Sequence, residues 1–269
     1  MSGKGQDEEP EATTLIREAA TRFGLGAIVS CERVPEGFSH VVYRLQTTDG
    51  VFALKVLDTQ LSVGGAVGTV AAAIEVELLA IAGGVQAPEP VADGNGRYIV
   101  QLGADRWVRV HHWISGRTRA SSCASGDEIS CIAQSLADLH TLEIATGPDL
   151  DTEVPTRWDA RLVAAEKSGA VWSAQLREAV GLFDESSSWA STRPAATLSS
   201  HRDVYPRNVL FTGRFANLVD WDVAGPTTPG EEVAVAAVEW SGGIVAVADS
   251  ASITSFVEQY CAISGVRFE

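Results

Sequence analysis

The chain has 269 residues, enough for two packed lobes, and 45% of them are hydrophobic, so a sizeable core can be buried. Acidic residues outnumber basic ones 35 to 20, for a formal net charge of −15, which argues against a basic phosphate-gripping face and so against a nucleic-acid partner. There is no apolar run of about 18 residues to span a membrane and no basic-then-apolar leader, and Cys31, Cys123, Cys131 and Cys261 lack paired zinc-type spacing, so the expectation is a cytoplasmic protein with reduced thiols.

Met1–Glu11 is polar and acidic and reads as a disordered start. Helical spacing follows over Ala12–Phe23, closed by Gly24 and Gly26. Three strands come next, at Ala27–Val34, Val41–Thr47 and Val51–Leu57. Asp49-Gly50 is a hairpin turn signal between the second and third, so this is an antiparallel meander rather than a βαβ unit. A helix is predicted over Val70–Ala82, stopped by Gly83-Gly84, and then a strand pair at Tyr98–Leu102 and Trp107–His111. Gly116 breaks the chain.

From Gly126 onward the pattern turns helical, at Asp127–Leu142, Arg157–Lys167 and Ala174–Phe183, with Glu185–Pro194 reading as a polar loop. Two short apolar strands, Asn208–Thr212 and Ala216–Asp220, flank a turn at Gly213, and Glu231–Ala248 and Ser252–Ser264 read as helices. The organisation is therefore α+β, with a β-rich half over residues 12–115 and a mostly helical half over residues 116–269, and a cleft between them suits a small-molecule site.

The chemistry concentrates in His201-Arg202-Asp203-Val204-Tyr205-Pro206-Arg207-Asn208 and in Leu218-Val219-Asp220-Trp221-Asp222. Phosphoryl transfer needs a carboxylate to orient an attacking hydroxyl, and a further carboxylate with a neutral oxygen ligand to hold Mg²⁺. A loop bearing Asp203 and Asn208, joined by a short hairpin to Asp220, can bring these groups together. A lone His-Arg-Asp is a common loop cap. The two segments in register are much harder to obtain by chance. In the other half, Lys55 sits amid an apolar strand, where an unpaired ammonium is costly unless it meets a carboxylate or phosphates. The spacing lacks the Gly-x-x-x-x-Gly-Lys-Ser/Thr of a P-loop.

These motifs resemble those of the aminoglycoside phosphotransferase family, which has a bilobal protein-kinase-like fold and includes choline and homoserine kinases. The resemblance implies a kinase that uses ATP or GTP with Mg²⁺ on a small-molecule hydroxyl acceptor, an antibiotic by preference, with a metabolic acceptor as the sister reading. It implies Asp203 as catalytic base and Asn208 and Asp220 as metal ligands. Lys55 would contact the α- and β-phosphates and pair with a helix carboxylate, Glu75 by preference and Glu77 as the alternative. Ser39 would lie in the phosphate-covering loop, and main chain around His112–Ile114 would meet the base. Asp222, Trp221 and Arg202 are candidates at the acceptor side, Asp222 completing the Asp-Trp-Asp variant that protein kinases replace with Asp-Phe-Gly. His140 and His201 are implied to be structural. Arg202 stands where these kinases usually carry Gly. A non-catalytic nucleotide-binding protein on the same fold is the competing class, and the completeness of Lys55, Asp203, Asn208 and Asp220 stands against it.

Overall fold

The computed structural model describes residues 8–35, 40–57, 66–103, 106–119, 124–147, 158–190, 196–243 and 248–268. In chain order the elements are α1 (Glu8–Arg22), β1 (Ile28–Val34), β2 (Val41–Thr47), β3 (Val51–Leu57), α2 (Ala66–Ala82), β4 (Val100–Leu102) and β5 (Arg106–His112), then α3 (Gly126–Thr141), α4 (Trp158–Lys167), α5 (Ser173–Ala190), β6 (Leu198–Ser200), β7 (Val209–Thr212), β8 (Phe215–Leu218), β9 (Gly225–Thr227), α6 (Pro229–Trp240) and α7 (Ser250–Ser264).

The N-terminal lobe is a five-stranded antiparallel sheet in the order β1-β2-β3-β5-β4. Its two faces follow the period of two along each strand. Phe52, Leu54 and Val56 of β3 and Val108 and Val110 of β5 turn to one face and pack under Ile16, Ala19 and Ala20 of α1 and Phe23 just after it. The intervening residues Ala53, Lys55, Arg109 and His111 face the cleft. The register sets Lys55 between Val42 of β2 and Arg109 of β5.

The C-terminal lobe is built on α3, α6 and α7. A capping box opens α3: Ser125 accepts from the Glu128 N–H, and the Glu128 carboxylate returns to the Ser125 N–H. Ile132, Leu136, Phe211, Trp240, Phe256 and Tyr260 share one core. Helix α2 joins the lobes. Ala73, Val76 and Ala80 belong to that same core, whereas Val70 and Ile74 pack with Leu57 of the sheet. The chain crosses between lobes at Gly116, where an added Cβ would lie 2.9 Å from Leu210 Cβ and 3.2 Å from Phe211 O, so only glycine allows the close approach. Arg117 then bridges to β7, its N–H donating to Phe211 O at 3.2 Å.

Several sequence expectations change. The first helix starts at Glu8, inside the stretch read as disordered. Helix α5 runs on to Ala190, through residues read as loop: the segment is polar, but it has no Gly or Pro before Pro194 to interrupt a helix. Helix α6 ends at Trp240 rather than continuing to Ala248, because Ser241-Gly242-Gly243 follows and Gly243 adopts φ +65°. Strands β6 and β9, three residues each, carry no periodic signal and pair with each other across the lobe. Cys31, Cys131 and Cys261 are free thiols, and Cys123 lies outside the described residues. Among the described residues no helix is long and apolar enough to cross a membrane.

Trp240 is fully buried, and its indole N–H donates to Val204 O at 2.8 Å, fastening α6 to the loop before β7. Trp240→Ala is expected to cost about 3–5 kcal/mol of unfolding free energy, the range for emptying a buried Trp site. A lowered chemical-denaturation midpoint checks this, and an unchanged midpoint contradicts it.

Candidate functional site

A cleft of about 590 Å³ lies between the lobes, with Lys55, Asp203, Asn208 and Asp220 among its lining residues. A larger groove of about 930 Å³ runs between α1 and the β1–β2 edge, but it has no carboxylate in its lining and is remote from these groups.

The loop between β6 and β7 carries Asp203. His201 before it is fully buried, and its Nε2 meets Val219 O at 3.0 Å while its Nδ1 accepts from the Asp203 N–H at 3.3 Å. That pattern is the neutral ring with the proton on Nε2. Burial pushes the His201 pKa down, in agreement. His201 thus shapes the loop. Val219, just before Asp220, is held from two sides: its N–H donates to Asn208 O at 2.9 Å and its carbonyl meets His201. The two sequence motifs are therefore tied to each other by one backbone bond and one bond from the His201 ring.

Asn208 Nδ2 donates to Asp203 O at 3.0 Å and to Asp203 Oδ2 at 2.5 Å. With its amide N–H₂ so engaged, the Asn208 amide oxygen is left as a hard acceptor. Asp203 Oδ1 is 3.8 Å from Arg207 Nη2. Burial pushes the Asp203 carboxyl above its ordinary value, and the nearby Arg207 charge offsets this only in part. Asp220, two residues after β8 and at the start of a 3-10 turn, is in the left-handed region at φ +68°, which Asp tolerates better than most residues.

Lys55 Nζ lies 2.5 Å from Asp220 Oδ1 and 2.5 Å from Asp222 Oδ2. Burial alone would lower its pKa, but the two carboxylates outweigh that and hold it raised. This corrects the expected pairing. Glu75 is exposed on α2 and lines a separate small pocket, so it does not meet Lys55. Glu77 is the inward-facing carboxylate, yet its partners are Arg109 and, at 3.0 Å, His111 Nε2. Burial would raise the Glu77 carboxyl; the His111 and Arg109 contacts bring it below its ordinary value. Arg109 was not singled out in the sequence. Its signal was the same as that of Lys55, a cation amid an apolar strand.

Of the three acceptor-side candidates, Asp222 and Trp221 line the cleft and Arg202 does not. Asp222 is nearly buried and bridges Arg109, at 2.5 Å, to Lys55; these cations outweigh burial and hold its carboxyl well below the usual range. Trp221 is 1% exposed, donates its indole N–H to Leu218 O at 3.0 Å and packs edge-on against His201. It supports the loop from beneath. Arg202 has φ +66°, the conformation glycine would take without strain, and its side chain lies over Gly225 beside a pocket lined by α2 and β9, away from the cleft. Ser39 lies outside the described residues; His40 next to it is 3.6 Å from Asp222 Oδ2.

At the lobe crossing, the N–H of His112 donates to Glu89 O and that of Trp113 to Val51 O, both at 2.9 Å. The His112 ring packs on Phe52. Among the described residues the Ile114 N–H is unclaimed and Ile114 lines the cleft, so Ile114 is the better placed of the two base-contact candidates.

Asn208 and Asp220 suit Mg²⁺, which takes hard oxygen donors and keeps several waters and phosphate oxygens. Among the described residues no group of three His, Cys, Asp or Glu is arranged to cage a metal by itself.

Below the loop, Glu232 of α6 accepts the Arg202 N–H at 2.6 Å and meets His140 Nε2 at 2.7 Å, and His140 Nδ1 meets Tyr260 Oη at 2.8 Å. Burial would raise the Glu232 carboxyl, but these bonds bring it below its ordinary value. A depressed carboxyl stabilises the fold above its unfolded value of about 4.3, and this contribution is lost as pH falls through the folded value. Glu232→Gln is therefore expected to lower stability at neutral pH by about 2–3 kcal/mol, as for a hydrogen-bonded buried charge, and to flatten the acid side of the stability curve. Denaturation measured across pH checks both, and an acid limb as steep as that of the wild type contradicts the assignment.

The sequence profile described as the phosphotransferase enzyme family matches residues 30–262. Solved structures share the fold at low identity. A spectinomycin phosphotransferase in complex with ADP and spectinomycin is 13% identical, with a TM-score of 0.65 over 92% of this chain and 79% of that one. An amicoumacin kinase in complex with AMP-PNP and Ca²⁺ is 13% identical, with a TM-score of 0.68 over 96% and 79%. A microcompartment-associated aminopropanol kinase is 17% identical, with a TM-score of 0.61 over 96% and 81%. A search of curated proteins returned no match.

Proposed function

Because the chain belongs to the phosphotransferase enzyme family, whose members are small-molecule kinases acting on hydroxyl groups, we propose that it moves the γ-phosphoryl group of ATP or GTP to a hydroxyl of an antibiotic, with Mg²⁺ as cofactor. The observation that carries this reading is the convergence of Asp203, Asn208, Asp220 and Lys55 on one cleft, with the Asp203 and Asn208 side chains bonded to each other. A non-catalytic nucleotide-binding protein would have no need of a carboxylate held at the mouth beside its metal ligands.

In this reading Asp203 receives the acceptor hydroxyl. Its Oδ2 is fixed by Asn208, which leaves Oδ1 for the substrate. Phosphoryl transfer asks mainly for orientation, since little covalent work falls to the protein. Asn208 and Asp220 would hold Mg²⁺, which neutralises charge on the nucleotide phosphates when bound. Lys55 is a retained cation at the same place and reaches toward phosphates from the sheet. The Ile114 N–H is available to an acceptor atom on the base.

The antibiotic acceptor is supported by kinship of fold with the spectinomycin and amicoumacin kinases. Likeness to an aminopropanol kinase supports a second reading, a metabolic amino alcohol or related acceptor. A panel of antibiotics and hydroxylated metabolites, assayed with ATP and GTP separately, decides between them.

Asp203→Ala is expected to reduce acceptor-dependent turnover by about 10²–10⁴-fold, the usual contribution of a positioned base, with nucleotide affinity retained. Asp220→Ala is expected to abolish the Mg²⁺ dependence of nucleotide binding. Near wild-type turnover in the first variant contradicts the role of Asp203 as base, and Mg²⁺-dependent binding in the second contradicts that of Asp220 as metal ligand.

A further inference from the structure

The ion pairs of the cleft form one alternating chain, Glu77–Arg109–Asp222–Lys55–Asp220, buried at its Glu77 end. Both oxygens of Glu77 are occupied, one by Arg109 and the other by His111, and Lys55 is not among its partners. Asp222 gives one oxygen to Arg109 and the other to Lys55. The two aspartates on Lys55 differ in kind. The Asp222 side chain is 9% exposed and held from behind, whereas that of Asp220 is 41% exposed and faces the cleft.

We propose that Arg109 is a positioning residue for phosphoryl transfer: it takes the α2 carboxylate that Lys55 would otherwise need, and by clamping Asp222 it leaves Lys55 a fixed partner even when Asp220 is committed to a metal ion. The inference rests on the phosphotransferase reading of this cleft. Only a guanidinium does this, because its fork offers separate N–H groups to two carboxylates, whereas an ammonium is a point charge. Here Nη2 meets Glu77 and Nη1 meets Asp222. Arg109 is 1% exposed, so its effect on the reaction passes through Asp222 and Lys55.

A merely structural ion pair would change stability and leave nucleotide affinity alone. Removing Arg109 singly strands two buried carboxylates and endangers folding. The test therefore uses the charge-balanced pair Glu77→Gln with Arg109→Gln, alongside Glu77→Gln, Arg109→Lys and Lys55→Met. Melting temperature and the Kd for Mg²⁺·ATP and Mg²⁺·GTP are measured for each by calorimetry. Glu77→Gln is expected to lower the melting temperature and leave Kd unchanged. The double variant, and Arg109→Lys if the double variant does not fold, is expected to weaken binding about tenfold, the size of one charge-assisted contact. In the Lys55→Met background Arg109→Lys is expected to add no further loss. Wild-type protein that binds neither nucleotide defeats the phosphotransferase reading and this inference with it. Wild-type binding left unchanged by the folded double variant or by Arg109→Lys, or weakened as much by Glu77→Gln as by Lys55→Met, overturns this inference alone.

Discussion

Lys55 and Arg109 stand directly opposite each other on β3 and β5, two cations on one pleat of the sheet. Directly opposed like charges repel, and both are largely out of water. The arrangement persists because three carboxylates from outside the sheet are interleaved with them: Glu77 from α2, and Asp220 and Asp222 from the turn after β8. The sheet, α2 and the turn after β8 all contribute to this cluster. The lobes cannot be separated, nor α2 displaced, without exposing or stranding one of these charges. The cleft is thus held from behind by buried charges, with Asp220 alone of the three carboxylates well exposed to it.

The mouth of the cleft is set in a second, independent way. Glu232 receives the backbone of the Asp203 loop at Arg202 and is bonded in turn to His140, which leans on Tyr260. One buried carboxylate so connects the loop to α3, α6 and α7. A buried charge is costly when alone and specific when fully bonded. Its use in this loop fixes Asp203 relative to the helical core rather than to the sheet. Arg202 and Asp220, both in the left-handed region, are the places where the backbone turns sharply to present the neighbouring carboxylates. Such conformations cost energy unless their surroundings over-determine them, and the Glu232 and Val219 bonds do so.

Local pattern carried much of the architecture. Period-two alternation with Asp49-Gly50 located β2 and β3, and the Ile132–Leu136–Leu139 spacing located α3, because each of these signals is complete within one segment. Asp203, Asn208 and Asp220 were legible for the same reason: they lie within one loop and one adjoining hairpin. The three-residue strands β6 and β9 were not, since neither has a period of its own and each exists through the other. The contacts of Trp221 and Asp222 were not legible, because sequence proximity to Asp220 says nothing of direction; both lie in a 3-10 turn and are buried at the edge of the cleft.

The amino-acid sequence by itself determined an acidic α+β chain with a sheet-forming half, a helical half and a phosphotransferase constellation, since hydrophobic period, turn residues and motif spacing are all short-range properties. Only the tertiary structure decided which charges meet. The choice between Glu75 and Glu77 depends on the rotation of α2 about its axis, and the role of Arg109 depends on the register that sets it opposite Lys55. Those are relations between segments far apart in the chain, established by packing and by the electrostatic cost of leaving any one of the buried charges alone.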